Sequence, residues 1–161
     1  MTGDIEEIKQ LKARYFRLLD TKRWAEWRGV FTDDCRFEGT RRTFPDADDF
    51  VAATSAWLGP AVTIHHGHMP EIALTGTDTA RGIWAMYDWV EFPEPTPEGP
   101  FPGGRGFVGS GHYEEAYRRE AGAWKIALLR LTRLRLDPVE TSPRPTRTDL
   151  LRSSGSEWLL G

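Results

Sequence analysis

The sequence predicts an α+β domain in which a strongly curved sheet encloses helices that come first in the chain. Apolar residues at helical spacing occur only in the first 58 positions, and long strand-like segments follow them. The last two of these segments flank a tight turn at residues 120–123, which predicts an antiparallel hairpin. A chain of 161 residues is long enough to close one core, so a single domain is expected. A sheet wrapped around helices in this way forms a cone with one open mouth.

Three helices are predicted in the N-terminal part. The first covers residues 4–19, and Tyr15 lies on its apolar stripe together with Ile5, Ile8, Leu11 and Leu18. A short second helix is expected at residues 24–30. The third is expected at residues 47–58, between Asp46 as its N-terminal cap and the Gly59-Pro60 pair that ends it.

The strands are separated by segments of turn-like composition. A turn is expected at residues 32–34, followed by a short strand at 35–39. Pro70 predicts a bulge or an edge position in the first of the long strands. The proline-rich segment 93–106 predicts an irregular loop. The long strands are expected at residues 62–74, 79–92, 107–119 and 124–136.

Composition excludes several classes of function. A net charge of -3 and scattered basic residues give no electrostatic basis for binding nucleic acid or an anionic membrane. The single cysteine, Cys35, excludes an intrachain disulfide, and no signal peptide or membrane span is evident, so we expect a cytoplasmic protein. The domain is expected at residues 1–137 and an irregular tail at 138–161. The Trp158-Leu159-Leu160 patch of this tail docks on a neighbour or over the mouth of the cone, or else is disordered.

Three of the four histidines lie within four positions of a predicted strand. Histidine titrates near neutrality and moves protons, so His65, His66 and His68 are candidates for a site. Strand alternation places His65 on one face and the other two on the opposite face, and a structural role remains open for each. A metal site that adds His112 is the alternative, but its ligand set is incomplete, so no metal is expected.

Further polar residues lie on faces that are otherwise apolar. Asp20 follows the first helix, where a carboxylate opposes the helix dipole. Asp88 shares the strand parity of Gly82, Trp84 and Met86. Such groups are costly to bury unless they are paired, so an internal Asp88–Arg133 ion pair and a ligand site both remain open. Arg133 shares the parity of Ala127, Leu129 and Leu131 on the last strand.

The sequence lacks the motifs of a phosphate-binding loop and of a serine nucleophile. The Gly103-Gly104-Arg105-Gly106 run is not a phosphate loop, and no Gly-x-Ser-x-Gly nucleophile elbow is present. Acid–base chemistry and non-catalytic binding remain as the candidate functions. Seven tryptophans, eight phenylalanines and four tyrosines supply either a core and subunit interface or a pocket for a flat ligand.

At these residues the chain resembles the SnoaL-like branch of the NTF2-like (cystatin-cone) superfamily. The likeness runs from residue 5 to about residue 136 and is carried by segments in the right order and spacing. Within the superfamily the chain looks most similar to the bacterial bile-acid 7α-dehydratases, and more distantly to scytalone dehydratase, hexachlorocyclohexane dehydrochlorinase and the polyketide cyclases. The segments are residues 8–16 with Leu19-Asp20, 64–72, 79–84, 113–117 and 122–126.

The resemblance implies a mostly antiparallel, mixed sheet and a lyase-type elimination without a cofactor, on a hydrophobic, steroid-like or polycyclic molecule. It carries three catalytic positions onto Tyr15, Asp20 and His65, and two pocket positions onto Asp88 and Arg133. Trp84 and His112 are added here as substrate-binding candidates. A non-catalytic ligand-binding protein and a cyclase or isomerase are the alternatives. The loop at 93–106 and the tail depart from the family pattern and would shape the mouth, so the identity of the substrate does not carry over.

Subunit pairing through the sheet is also implied, as a homodimer or, second, a trimer. The face opposite Asp88 carries the alternating apolar residues Ile83, Ala85, Tyr87 and Trp89, which suit such an interface.

Overall fold

The computed structural model describes residues 3–139 and 154–160, which form an α+β cone. Three helices pack on one five-stranded sheet, so the predicted fold class is confirmed. The elements are α1 (Asp4–Asp20), α2 (Trp24–Arg28), β1 (Phe31–Glu38), α3 (Ala47–Leu58), β2 (Val62–Leu74), β3 (Thr79–Glu91), β4 (Gly106–Glu120), β5 (Ala123–Pro138) and a 3₁₀ turn at Ser156–Leu160.

The sheet has the order β1-β5-β4-β3-β2. β2, β3, β4 and β5 pair antiparallel with their neighbours, whereas β1 pairs parallel with β5. This arrangement makes β1 and β2 the two edge strands of a mixed sheet. α3 carries the chain from β1 at one edge of the sheet to β2 at the other edge, so the parallel strands β1 and β5 are joined through α3 and the three strands β2, β3 and β4.

The predicted turn at residues 32–34 is wrong, because these residues belong to β1. Asp33 and Asp34 are exposed on this edge strand, where Arg28 pairs with Asp33 and Arg118 with Asp34. The register of β1 against β5 shifts between Phe31 and Arg36, so the turn-like residues lie at an irregularity within the strand.

Bulges change the phase of two long strands. The β2–β3 register shifts between His68 and Glu71, which confirms the irregularity predicted at Pro70. A second shift on β5 lies between Ile126 and Leu128. The inward phase therefore passes from Ile126 to Leu129, both buried, and Ala127 leaves the face predicted for it.

The core lies between the concave face of the sheet and the helices. α1 contributes the buried stripe Ile8, Leu11, Tyr15 and Leu18, while the partly exposed Ile5 lies at its margin. The aromatic side chains pack mainly edge to face around Trp27, Phe31 and Phe50, an arrangement that favours ring quadrupoles. No helix of the described residues is long and apolar enough to cross a membrane.

The outer face of the sheet carries the predicted interface residues. Ile83 is 44% exposed there, and its neighbours Ala85, Tyr87 and Trp89 are half-buried. Subunit pairing through this face stays a prediction. The irregular tail predicted at 138–161 consists largely of residues 140–153 and 161, which lie outside the described ranges. In the remainder, Trp158, Leu159 and Leu160 are exposed.

Candidate active site

The end of α1 meets β2 at a carboxylate–imidazole pair. Asp20 Oδ1 lies 2.7 Å from His65 Nδ1, and the His65 backbone N–H donates to Asp20 Oδ2 at 2.7 Å. With Nδ1 held by the carboxylate, the imidazole has the tautomer that leaves the Nε2 lone pair free to accept a proton. The His65 side chain is 7% exposed and that of Asp20 22% exposed.

Two more polar groups support Asp20. The Thr63 hydroxyl donates to Asp20 Oδ1 at 2.9 Å, and Lys22 Nζ donates to Thr63 Oγ1 at 2.7 Å. Desolvation lowers the pKa of Lys22 to about 8, against the opposing charge of Asp20. Asp20 thus accepts three hydrogen bonds from β2, which accounts for a carboxylate at the unfavourable end of a helix.

A second charged pair lies beside His65 on the same face of the sheet. His65 and Asp88 are direct partners in the β2–β3 ladder. Asp88 is buried and accepts two hydrogen bonds of 2.7 Å from the Nη1 and Nη2 atoms of Arg133. Gly109 of β4 makes room for this pair, because a Cβ there would lie 2.1 Å from Arg133 Nη1.

Tyr15 is buried against the aromatic side of β4. Its ring centroid is 6.0 Å from that of Tyr113. Burial raises the pKa of Tyr15 well above its ordinary value, and the neighbouring charges and hydroxyl of Tyr113 add to the rise. The Tyr15 hydroxyl therefore stays protonated near neutrality, so it can donate a hydrogen bond but does not act as a base.

Sequence reasoning missed a buried charged network that lies next to Tyr15. Lys12 Nζ is 2.5 Å from Glu115 Oε1, with both side chains fully buried. The Tyr117 hydroxyl donates to Glu115 Oε2 at 2.5 Å and accepts from Trp84 Nε1 at 2.8 Å. The signal was available, since Lys12 lies on the apolar stripe of α1 and Glu115 shares the inward parity of Tyr113 and Tyr117.

The Asp20–His65 pair opens into a cavity of about 620 Å³ between α1 and β2, here called the α1–β2 cavity. Phe16 and Trp84 supply its aromatic surface, and Lys9 and Arg17 its basic side chains. Gly67 is required where these rings approach the strand, because a Cβ there would lie 2.6 Å from Phe16 and 3.2 Å from Trp84. The remaining lining residues are Ala13, His66, His68 and Pro70.

Arg133 lines a different cavity of about 440 Å³, called the α3–β5 cavity. The predicted site residues are therefore divided: Asp20, His65 and Trp84 line one cavity and Arg133 the other. Tyr15 and Asp88 are buried and line neither. The ladder contact of His65 with Asp88, and the ion pair of Asp88 with Arg133, connect the two.

The other histidines do not join this set. His112 lies on β4, where it pairs with Ala85 of β3 and Thr132 of β5. Its strand parity is opposite to that of the buried Gly111 and Tyr113, so its side chain lies on the outer face of the sheet and lines neither cavity. This placement separates it from the other substrate-binding candidates. His66 and His68 are exposed, with ring centroids 5.6 Å apart. Within residues 3–139 and 154–160, no three His, Cys, Asp or Glu side chains are grouped so that they could hold a metal ion.

Cys35 is not placed for nucleophilic work. Its side chain is buried, and desolvation raises the pKa of the thiol far above its ordinary value, so it stays a thiol. The geometry around Asp20 and His65 instead supports proton transfer, because an oriented imidazole faces a cavity with aromatic walls.

Comparison with known proteins gives three results. A family model described as the SnoaL-like domain matches residues 2–130. A curated protein of Gibberella zeae that carries the name probable cyclase FGR4 is 26% identical over 139 residues, covering 79% of this chain and 89% of that protein. Similarity to solved structures establishes the fold.

A provisionally assigned scytalone dehydratase from Novosphingobium aromaticivorans matches with a TM-score of 0.72 and 16% identity, covering 86% of this chain and 89% of that one. The hexachlorocyclohexane dehydrochlorinase LinA-type3 from Novosphingobium barchaimii matches with a TM-score of 0.69 and 17% identity, covering 85% and 92%. The family model confirms the family resemblance found in the sequence, and the structural matches confirm the fold. The likeness to the bile-acid 7α-dehydratases stays a prediction.

Proposed function

This chain belongs to the SnoaL-like domain family, and on that basis we propose that it is a cofactor-independent lyase-type enzyme that eliminates a leaving group from a hydrophobic, polycyclic small molecule. The observation that carries the proposal is the 2.7 Å contact between Asp20 and Nδ1 of a His65 side chain that lines a cavity. An imidazole fixed in this way is a general base with one free nitrogen.

In the proposed reaction, His65 Nε2 removes a proton from a carbon next to an activating carbonyl group. The electron pair of the broken C–H bond forms a carbon–carbon double bond, and the bond to the leaving group breaks at the neighbouring carbon. When the leaving group is a hydroxyl, the His65 imidazolium returns the proton to it and water departs. Asp20 stabilises the imidazolium between these two steps without taking the proton itself.

Tyr15 is proposed as a hydrogen-bond donor to the developing oxyanion or to the departing oxygen. Its raised pKa supports this role, since the hydroxyl stays neutral and keeps its proton. We assign Arg133 to substrate orientation from the α3–β5 cavity, Asp88 to the same role through its ion pair with Arg133, and Trp84 to the apolar wall of the α1–β2 cavity. The proposed location is the cytoplasm and the proposed assembly a homodimer, for which a trimer is the alternative.

The test is turnover of a library of β-hydroxy-carbonyl steroids and aromatic polyketides, followed by mass spectrometry for loss of water. With a substrate in hand, we expect H65A and D20N each to lower turnover about a hundredfold or more, because general-base catalysis contributes factors of this size. H112A is the matched control, since His112 lies on the outer face of β4 and lines neither cavity. Turnover close to wild type in both site variants would remove the assignment.

A non-catalytic ligand-binding protein is the second candidate. The observation in its favour is the burial of the polar set, because Tyr15, His65 and Asp88 are each no more than 7% exposed. Groups this enclosed can orient a ligand without reacting with it. Saturable binding of a library compound with no product after prolonged incubation would select this alternative, whereas product formation lost in H65A selects the enzyme.

A further inference from the structure

The helix α1 ends in a Schellman motif whose left-handed position is occupied by a lysine. The Lys22 N–H donates to the Leu19 carbonyl at 3.1 Å, and the Arg23 N–H donates to the Leu18 carbonyl at 2.9 Å. Lys22 has a φ of 61°, in the region where a Cβ is unfavourable. Glycine is the usual residue at this position of the motif. The reason for a lysine here therefore lies in what its side chain contacts.

The Lys22 side chain begins a chain of hydrogen bonds that ends on His65. Lys22 Nζ donates to Thr63 Oγ1 at 2.7 Å, and the Thr63 hydroxyl donates to Asp20 Oδ1 at 2.9 Å. The same oxygen of Asp20 lies 2.7 Å from His65 Nδ1. An ammonium group has no acceptor, so the Thr63 hydroxyl must accept from Lys22 and its one proton is directed to Asp20. The lysine thus fixes the direction of that hydroxyl.

Lys22 also carries a desolvation cost. The residue is half-buried, and desolvation lowers the pKa of its ammonium group to about 8, although the charge of Asp20 opposes this shift. The hydrogen bond to Thr63, the charge of Asp20 and the Trp24 ring, whose centroid is 5.7 Å from Nζ, offset part of the cost. A residue that is strained and desolvated, yet holds hydrogen bonds next to a candidate base, has the properties of a functional residue.

We propose that Lys22 is a positioning residue of the Asp20–His65 pair, which it holds in place through the Thr63 hydroxyl and whose imidazole it keeps neutral by its charge. The inference rests on the proposed role of His65 as the general base. A positive charge beside Asp20 weakens the attraction of this carboxylate for a protonated imidazole. Without Lys22, a larger fraction of the His65 side chains is protonated near neutrality, and Nε2 of those side chains cannot accept a proton.

The other titratable groups around His65 remain when Lys22 is replaced. They are Asp20 and Tyr15 of α1, Asp88 of β3 with its partner Arg133 of β5, and Lys9, Arg17, His66 and His68 around the α1–β2 cavity. Because the wild type and a Lys22 variant share all of these groups, a difference between their titrations reports the lysine.

The first measurement is a proton NMR titration, which needs no substrate. The chain has four histidines, and the His65 ring signal is identified by its loss in H65A. We expect K22M to raise the midpoint of this titration by about 0.5 pH unit or more, because the charge beside Asp20 is gone. T63V is expected to move the midpoint in the same direction, since it breaks the chain of hydrogen bonds without changing a charge.

Two controls separate this effect from a general change of charge. K22R keeps a positive charge at the same position, and we expect it to match the wild type. R14M removes a positive charge from an exposed position of the same helix, and Arg14 does not line the α1–β2 cavity, so its midpoint is also expected to match. An unchanged midpoint in K22M or in T63V overturns the proposal, and so does an equal shift in R14M.

The second measurement is thermal unfolding of K22G. Glycine relieves the left-handed backbone and removes the desolvated ammonium group, so we expect Tm to rise by about 2–4 °C while the His65 midpoint rises as in K22M. A121G is the matched control, because Ala121 has a φ of 49° in the turn between β4 and β5. It is expected to raise Tm and to leave the midpoint unchanged. A lower Tm in K22G would show that Lys22 serves stability, which contradicts the proposal.

Turnover separates this inference from the proposed function. With a substrate in hand, we expect K22M to lower turnover about threefold at about pH 6 and to approach the wild type above pH 8, where the wild-type lysine also loses its charge. An equal loss of turnover at every pH contradicts the proposal. If the His65 midpoint moves in K22M and T63V but no compound reacts, the proposed function fails and the positioning role of Lys22 is supported.

Discussion

At the scale of single residues, the site depends on how polar groups are satisfied in a nearly closed interior. Asp20 is held by Thr63 and by two nitrogens of His65, and Asp88 by the two Nη atoms of Arg133. A buried carboxylate without such partners would cost several kcal/mol or would neutralise by taking up a proton. Each acidic side chain of the candidate site is therefore fixed in direction, which is what general-base geometry requires.

Gly109 is the residue that gives the Asp88–Arg133 pair its space. A Cβ at this position would lie 2.1 Å from Arg133 Nη1 and 2.5 Å from Asp88 Oδ1. We expect G109A to lower the free energy of unfolding by about 2–3 kcal/mol, because one partner of a buried ion pair must move. Urea denaturation measures this change. G3A is the control, since a Cβ on Gly3 meets nothing within 4 Å. Equal stability of G109A and the wild type would show that the pair has room to shift.

Strand parity allowed part of this site to be predicted and not the rest. Asp88 was identified as a polar residue on an apolar face, and the same argument applied to Lys12 and Glu115 would have found the buried pair on α1 and β4. His112 has the wrong parity for the cavity face, which the alternation of β4 already indicated. Strand parity alone could not predict the partner of Asp20, because that contact depends on how α1 crosses β2; the resemblance to the family supplied His65.

At the scale of elements, sequence patterns could not predict that the edge strand β1 pairs with β5. Its two central aspartates favour a turn locally, yet ion pairs with Arg28 and Arg118 and an irregular register keep them in the strand. The predicted cap of α3 was correct, since the Asp46 side chain accepts a hydrogen bond from the Asp49 N–H at 2.8 Å. Local capping chemistry is visible in sequence, whereas pairing between β1 and the distant β5 is not.

The β4–β5 hairpin offers a test of turn chemistry at this scale. Ala121 and Gly122 both have positive φ, 49° and 80°, as a type I′ turn requires. We expect A121N to raise the free energy of unfolding by about 0.5 kcal/mol, because asparagine tolerates the left-handed region better than alanine.

The paired change in this turn is G122A, which we expect to lower the free energy of unfolding by about 1 kcal/mol. A Cβ on Gly122 meets nothing within 4 Å, so the cost is conformational rather than steric. Chemical denaturation of both variants provides the measurement. If A121N and G122A shift stability in the same direction, the turn does not adopt this type in solution.

At the scale of the whole molecule, one buried ion pair joins the helical layer to the sheet. Lys12 of α1 contacts Glu115 of β4, and its ammonium group lies 3.8 Å and 3.7 Å from the ring centroids of Tyr15 and Tyr113. Breaking one partner of such a pair leaves an uncompensated charge in the core. K12M alone is therefore expected to lower the free energy of unfolding by about 3 kcal/mol, and K12M/E115Q to recover most of that loss.

The same lysine gives the molecule a predicted pH dependence of stability. Desolvation lowers the pKa of Lys12 from 10.5 to about 8, although the charge of Glu115 opposes the shift, while Tyr15 and Tyr113 face the ammonium group. Between these two values the unfolded chain binds more protons at this position than the folded chain, so the contribution of Lys12 to the free energy of unfolding rises with pH. The rise is at most about 3 kcal/mol, at about 1.4 kcal/mol per pH unit.

Other lysines and tyrosines also titrate in this range, so the measurement is a difference. Urea denaturation of the wild type and of K12M/E115Q from pH 7 to 10.5 removes the groups common to both proteins. We expect the difference in free energy of unfolding to move in favour of the wild type from about pH 8 upward, because the folded wild type then no longer holds a desolvated ammonium group. A difference that stays constant across the range would mean that Glu115 offsets the desolvation of Lys12 completely. A difference that moves against the wild type would mean that the pair, and not the neutral lysine, is the form that folding favours.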